Sequence, residues 1–386
     1  MAVSAFILAG EASGDRLAAQ LMDAGNDIFS SISWFGVGGP QMQARHLDNL
    51  ADMDRLAVIG IGDALAQYRA LSALADRLIA EILKRQPDYV FTVDSKGFSL
   101  RFAARLRRAL GSGSYQPKLV HMVAPTVWAW GAWRAKKFSQ LFDHIFCLFP
   151  FEPDYFNIGP SEQGAQALFV GHPDADGTAR PVPELPYKPD RDTNLHIFLL
   201  PGSRQGEIMR HMPILLDACS HLLDTYPALR LTLPLLPHLH PAVAPFLEQT
   251  DIGSHIELSD KPVAQAFSDA HFMLASSGTV TLEAAIAGVP GVVIYHLGLT
   301  SRLFAKLLFK PKTPVLPDII LQTNAYPFLI SPYLNANNLA HLAQQGLQDI
   351  TARNAEMQDL SRQLKATLSP DGKPFAERLR AALQRI

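Results

Sequence analysis

The sequence predicts an α/β protein of two Rossmann-like domains with a cleft between them. Three observations carry this: short β-like runs alternate with helical patterns, a proline-rich polar stretch interrupts the rhythm at 173–193, and the same rhythm then restarts. Such alternation places parallel strands in a sheet with helices on its faces. Ligands of these sheets bind at the carboxyl ends of the strands, so those ends, facing the cleft, are the expected site.

The opening run 4–9 is apolar but meets Glu11 and Asp15 where a signal peptide would continue, so it reads as the first strand. Further strands are expected at 33–36, 89–93, 118–123 and 144–148, with apolar residues at helical spacing over 63–84 and 100–110. These make an N-terminal Rossmann-like domain, 1–175. Five prolines and eight charges between Pro173 and Thr193 mark a linker, 176–193. A second domain, 194–350, carries strands at 195–200, 230–234, 255–258, 272–275 and 291–295. The weakly charged stretch 278–295 is cut by Gly288-Val289-Pro290-Gly291, so it is a helix, a turn and a strand rather than a bilayer span. Residues 351–386 read as C-terminal helices able to pack back on the N-terminal domain.

With 386 residues, 48% hydrophobic and 18% charged, the chain is neither disordered nor a disulfide-stapled mini-protein. Lys and Arg number 34 against 36 acids, so no basic field exists to hold a nucleic acid, and any anion must be caught by local groups. Cys147 and Cys219 are the only cysteines and form no CxxC, which indicates a reducing, cytoplasmic compartment and argues against zinc. The 13 histidines show no HExxH and no ligand cluster, so neither a metal nor another cofactor is expected.

The clearest phosphate site is ASSGTVTLE at 275–283, where a strand opens into a helix: Ser277, Gly278 and Thr279 offer hydroxyls and free N–H groups to a diphosphate. Glu283, one turn on, suits a ribose, or else complements the helix dipole. A second is LLPGSR at 199–204, where Arg204 can grip phosphate bidentately, the alternative being a solvated arginine with Ser203 as cap. The first loop, AGEASGD at 9–15, puts acids where a pyrophosphate would sit. It therefore suits a neutral, hydroxyl-rich ligand bound by Glu11, Ser13 and Asp15, unless Ser13 and Asp15 only cap the helix. Asp94, ending the strand 89–93, is either a general base or an N-cap. Trp128, Trp130 and Trp133 lie beside Arg134, Lys136 and Lys137, and Arg302, Phe304 and Lys306 open another basic, apolar stretch. Both suit a membrane interface or a lipid phosphate, or else ordinary core packing with a charged outer face.

Read in order, AGEASGD (9–15), FGVGGPQM (35–42), VDSKGF (93–98), PTVWAW (125–130), LFPFEPDYF (148–156), FVGHP (169–173), LLPGSR (199–204) and SSGTVTLEAAIAGVP (276–290) resemble the lipid-A-disaccharide synthase family over almost the whole chain. The resemblance implies a GT-B fold with the acylated acceptor in the first domain and the UDP donor in the second. It also implies an inverting, metal-independent transfer of 2,3-diacylglucosamine from UDP-2,3-diacylglucosamine to the 6-hydroxyl of 2,3-diacylglucosamine 1-phosphate, giving the β-1,6-linked disaccharide 1-phosphate and UDP. Asp94 is then the first candidate base and Glu11 the next, with Arg204, Ser277, Gly278, Thr279 and Glu283 on UDP. The chain departs from the family pattern at Gly97, where a second acid is usual, at Asp318, where Asn is usual, and at Gln322-Thr323-Asn324. A peripheral place on the cytoplasmic face of the inner membrane is expected through Trp128, Trp130, Trp133 and the 302–312 stretch, and the oligomeric state stays open, a homodimer included. Two rival functions are a sugar-nucleotide epimerase of similar build and a catalytically silent lipid- or nucleotide-binding relative.

Overall fold

A computed structural model of the chain describes residues 3–53, 56, 64–129, 131, 133–157, 165–177, 179–181, 183, 185–186, 188–297 and 313–386. It forms two compact units, Met1–Pro173 joined by Asp371–Ile386, and Asp174–Pro370.

In the first unit, successive side chains of β1 (Val3–Ala9) enter different cores. Phe6 and Leu8 pack with Phe35, Leu78, Phe102 and Phe138, while Ala5, Ile7 and Ala9 pack with Leu17, Met22, Phe91 and Val120. Burial on both faces is the mark of a central parallel strand. Around β1 lie β2 (Ile32–Val37), β3 (Asp48–Asn49), β4 (Tyr89–Val93), β5 (Lys118–Met122), β6 (His144–Cys147) and β7 (Gln166–Phe169). The spatial order is β3-β2-β1-β4-β5-β6-β7, and every pairing is parallel. The helix Phe375–Leu383 closes one face: Phe375, Leu379 and Leu383 join the core of Leu17, Leu21 and Met22 on the helix Ala12–Ile28, and Arg380 pairs with Asp27 at 2.6 Å.

The second unit repeats the plan with β8 (His196–Leu200), β9 (Arg230–Pro234), β10 (Ile256–Ser259), β11 (Phe272–Ser276), β12 (Gly291–Tyr295) and β13 (Phe328–Ile330), in the order β10-β9-β8-β11-β12-β13. Its core gathers Ile197 and Leu199 of β8 with Ile208, Met212 and Leu215 of the helix Gln205–Thr225 and Leu339 and Ala343 of the helix Ala336–Gln348. Gly346 of the latter lets Phe272 approach: a Cβ there would stand 2.7 Å from the ring.

The fold is the predicted one, two parallel α/β sheets of Rossmann type, with boundaries that differ from those expected. Arg180, inside the expected linker, is buried: its N–H donates to Ala287 O at 3.0 Å and its guanidinium to Asn354 Oδ1 at 2.7 Å. That segment is therefore part of the second unit. The block 351–386 also divides, because Ile350–Leu368 belongs to the second unit and Phe375–Leu383 to the first.

In an open parallel sheet, strand order reverses at one point, and the loops there splay apart to leave a crevice. The reversal falls between β1 and β4 in the first sheet, and between β8 and β11 in the second. The loops leaving these four strands carry AGEASGD, DSKGF, PGSR and SSGT. No helix among the described residues is long and apolar enough to cross a membrane.

Candidate active site

At the first switch point, Gly10 allows the β1 and β4 loops to touch, since a Cβ on it would lie 2.3 Å from Ser95 Oγ. Asp94 and Ser95 both hold left-handed backbone, with φ of 52° and 45°. Two such non-glycine residues in succession are strained and persist only where surroundings impose them. Here Asp94 N–H donates to Met122 O at 3.0 Å, and Ser99 Oγ donates to the Asp94 carbonyl at 2.9 Å. The cap of the helix Lys96–Leu110 is Ser95, with no side-chain bond, so the Asp94 carboxylate is not spent on capping. It is half-buried at the strand end.

Glu11 and Ser13 are exposed at the start of the helix Ala12–Ile28, whose cap position Glu11 fills without a side-chain bond. Asp15 departs from its expected role. It is 2% exposed, and its carboxylate accepts from the N–H groups of Gly39, Gln41 and Met42 at 2.8, 2.9 and 3.1 Å. Asp15 is an internal tie that holds the FGVGGPQM turn, not a ligand contact or a cap. Unsatisfied donors cost about 1–3 kcal/mol each, so Asp15→Ala is expected to lower stability by about 3 kcal/mol or more in urea unfolding. An unchanged midpoint would return Asp15 to the ligand.

Trp128 departs as well. Its ring is buried, edge-on to Phe151, and its indole N–H donates to Glu152 Oε1 at 3.3 Å, which excludes contact with a bilayer. Glu152 itself was not singled out from the sequence. It is 2% exposed and also accepts from the N–H groups of Leu148 and Phe149, both at 3.1 Å. Burial pushes its pKa up to about 7, against those hydrogen bonds and the positive charge of Lys96. Trp133, by contrast, is 65% exposed, with Lys137 Nζ 5.1 Å from its ring centroid. Trp130, Arg302, Phe304 and Lys306 lie outside the described residues.

At the second switch point, Gly202 takes a φ of 123°, and a Cβ there would stand 2.4 Å from Glu207 Oε2. Glu207 accepts from Ser203 N–H at 3.2 Å and lies 3.6 Å from Arg204 Nη1, while the Arg204 side chain is 76% exposed. Beyond β11, Gly278 is the cap residue of the helix Thr279–Ala287 and supplies no side-chain bond. The first N–H groups of a helix have no intrahelical acceptor. Space is open where a Gly278 side chain would be, and Thr279 is exposed. Glu283 is half-buried one turn further on. Ser277 is corrected: its hydroxyl donates to Pro314 O at 2.6 Å and its N–H to Ile294 O at 2.9 Å, so both its donors are used within the fold. The groups at this strand end able to donate to an anion are the first N–H groups of the helix, Thr279 and Arg204. Asp318, where the family pattern usually has Asn, is 2% exposed and accepts from Ala325 N–H and Thr313 Oγ1 at 2.8 and 3.0 Å, a structural use.

A family model described as lipid-A-disaccharide synthetase matches residues 5–382. The chain belongs to that family. A lipid-A-disaccharide synthase of Gluconobacter oxydans is 34% identical over 347 residues, covering 89% of this chain and 81% of its own. One of Ruegeria pomeroyi is 31% identical over 393 residues, covering 99% and 95%. Among solved structures, a putative UDP-N-acetylglucosamine 2-epimerase of Listeria monocytogenes aligns with a TM-score of 0.62 at 16% identity, covering 100% of this chain and 96% of its own. MurG of Acinetobacter baumannii aligns at 0.52 and 13%, covering 100% of both. These likenesses are of fold, and the fold is GT-B. Membership of the lipid-A-disaccharide synthetase family makes the chain a hexosyltransferase that forms the lipid A disaccharide.

Proposed function

We propose that the protein transfers 2,3-diacylglucosamine from its UDP derivative to the 6-hydroxyl of 2,3-diacylglucosamine 1-phosphate, with inversion at the anomeric carbon. The observation that carries this reading is the placement of chemically distinct loops at the two switch points. One presents carboxylates and a hydroxyl and the other a helix N-terminus and an arginine. Glu11 and Ser13 bind the acceptor sugar, and Asp94 takes the proton of its 6-hydroxyl as the oxygen attacks. The new C1–O6 bond forms on the face opposite the breaking bond from C1 to the diphosphate oxygen. The electron pair of that bond leaves with UDP, whose charge is met by the N–H groups at Gly278–Thr279 and by Arg204. Glu283 accepts from the ribose hydroxyls.

Release of UDP that requires the acylated sugar 1-phosphate tests this function. An epimerase would convert the UDP-sugar without an acceptor, and a silent relative would do neither. Arg204→Ala and Glu283→Ala are each expected to weaken UDP binding in calorimetry by roughly 10- to 150-fold, the loss of one charge-assisted hydrogen bond. Unchanged affinity in both would remove UDP from this unit.

The acyl chains of both substrates reside in a bilayer, and we place the protein peripherally on the cytoplasmic face of the inner membrane, through Trp133, its neighbouring cations and the 302–312 stretch. Each cation near an anionic surface contributes about 1 kcal/mol. Sedimentation with anionic vesicles is expected to fall with added salt and with Trp133→Ala, and a protein that never sediments would refute this placement.

A further inference from the structure

His211, on the helix Gln205–Thr225, belongs to none of the motifs above and is 3% exposed. Its Nδ1 lies 2.6 Å from the carbonyl oxygen of Pro201, the first residue after β8, and its Nε2 lies 3.3 Å from the backbone nitrogen of His296, the first residue after β12. A carbonyl only accepts and a backbone N–H only donates. One form of imidazole satisfies both: neutral, with the proton on Nδ1 donated to Pro201 and Nε2 accepting from His296.

The strands so joined are not neighbours, because β11 lies between β8 and β12. The β11 exit is tied to the same place, since Ser277 N–H donates to Ile294 O on β12 at 2.9 Å. One imidazole thus fixes the turn that carries Arg204 relative to the loop that carries Gly278 and Thr279. We propose that neutral His211 is a positioning residue for the donor, setting the distance between the arginine and the helix N-terminus that grip the UDP diphosphate. This rests on the reading that the second unit binds UDP. Burial holds the His211 pKa below the usual imidazole value, which keeps the ring in the form that the bridge needs.

The test uses the full chain with His211→Leu, which keeps bulk and loses both bonds, and His211→Gln, whose amide restores one donor and one acceptor. UDP is titrated calorimetrically, and donor KM, acceptor KM and kcat are measured alongside thermal melting. His211→Leu is expected to raise the UDP Kd and the donor KM about tenfold, with acceptor KM unmoved and kcat at saturating donor within about threefold. His211→Gln is expected to recover most of the donor affinity. A folded His211→Leu with wild-type UDP affinity overturns the proposal. So does a loss confined to Tm and kcat with donor KM unchanged, which would make the bridge structural only. If His211→Leu does not fold, His211→Gln decides: donor affinity and KM within twofold of wild type support the bridge, and a tenfold loss in a folded protein overturns it. A wild-type chain that binds no UDP overturns instead the reading on which the proposal stands.

Discussion

Asp94→Asn is expected to lower turnover by about 10²- to 10⁴-fold, the usual cost of losing a general base, while UDP affinity and Tm stay at wild-type values. The acceptor hydroxyl is a poor nucleophile until its proton has somewhere to go, and an amide offers no basic site at neutral pH. Asparagine is the informative replacement because of the backbone. Asp94 sits at a φ of 52°, a conformation that Asp and Asn tolerate better than other residues with a Cβ. The carboxylate makes no cap bond for the following helix, so that helix should not notice the change. Asp94→Ala would mix the loss of the base with a backbone penalty. If acceptor-dependent UDP release by Asp94→Asn stays within a few-fold of wild type, Asp94 is not the base, and Glu11, exposed at the end of β1, takes its place.

The second large effect is on stability and comes from Glu152. Its pKa is raised from an ordinary 4.5 to about 7 in the fold, so between those values the folded chain keeps a proton that the unfolded chain has lost. The contribution is fully present below about pH 4.5 and is lost as pH rises through 7, a span worth about 3 kcal/mol. Measured by denaturant, the stability of the wild type relative to Glu152→Gln should therefore fall by about 2.5 kcal/mol from pH 5 to 8, a difference in which the buried histidines, whose pKa values burial lowers in both proteins, cancel. In that variant the amide oxygen can accept from Leu148 and Phe149, but its NH2 group then meets the Trp128 indole N–H, donor against donor. Tryptophan emission should accordingly shift to the red. Parallel pH profiles for the two proteins would show that Glu152 does not titrate in this range.

What was legible in the sequence was what neighbours in sequence decide. Residues 230–234 and 291–295 are read to the residue because an apolar run is bounded by turn formers, Tyr226-Pro227 before one and Gly288-Val289-Pro290 before the other. Strands β3, β7 and β13, of two to four residues, lie at or near sheet margins and are too short to show a period. Asp94, Arg204 and Gly278 stand out because a loop directly after a strand puts them at the strand's carboxyl end. Asp15, Ser277 and Trp128 mislead because their partners lie 24 to 37 residues away, and no spacing rule announces that Gly39, Pro314 or Glu152 will take their hydrogen-bonding groups. Glu152 left one trace, a single carboxylate inside the aromatic run LFPFEPDYF. His211, on an ordinary amphipathic helix, left none.

The first unit is assembled from both extremes of the described chain, with all of Asp174–Pro370 delivered between its two parts. During synthesis its sheet can form early, but the core face of Leu17, Leu21 and Met22 stays uncovered until Phe375, Leu379 and Leu383 emerge. The second unit, uninterrupted in sequence, can finish first. Folding order on the ribosome is thus inverted relative to chain order. A nascent chain halted before residue 375 would display a long-lived apolar patch, the kind of surface on which chaperones act.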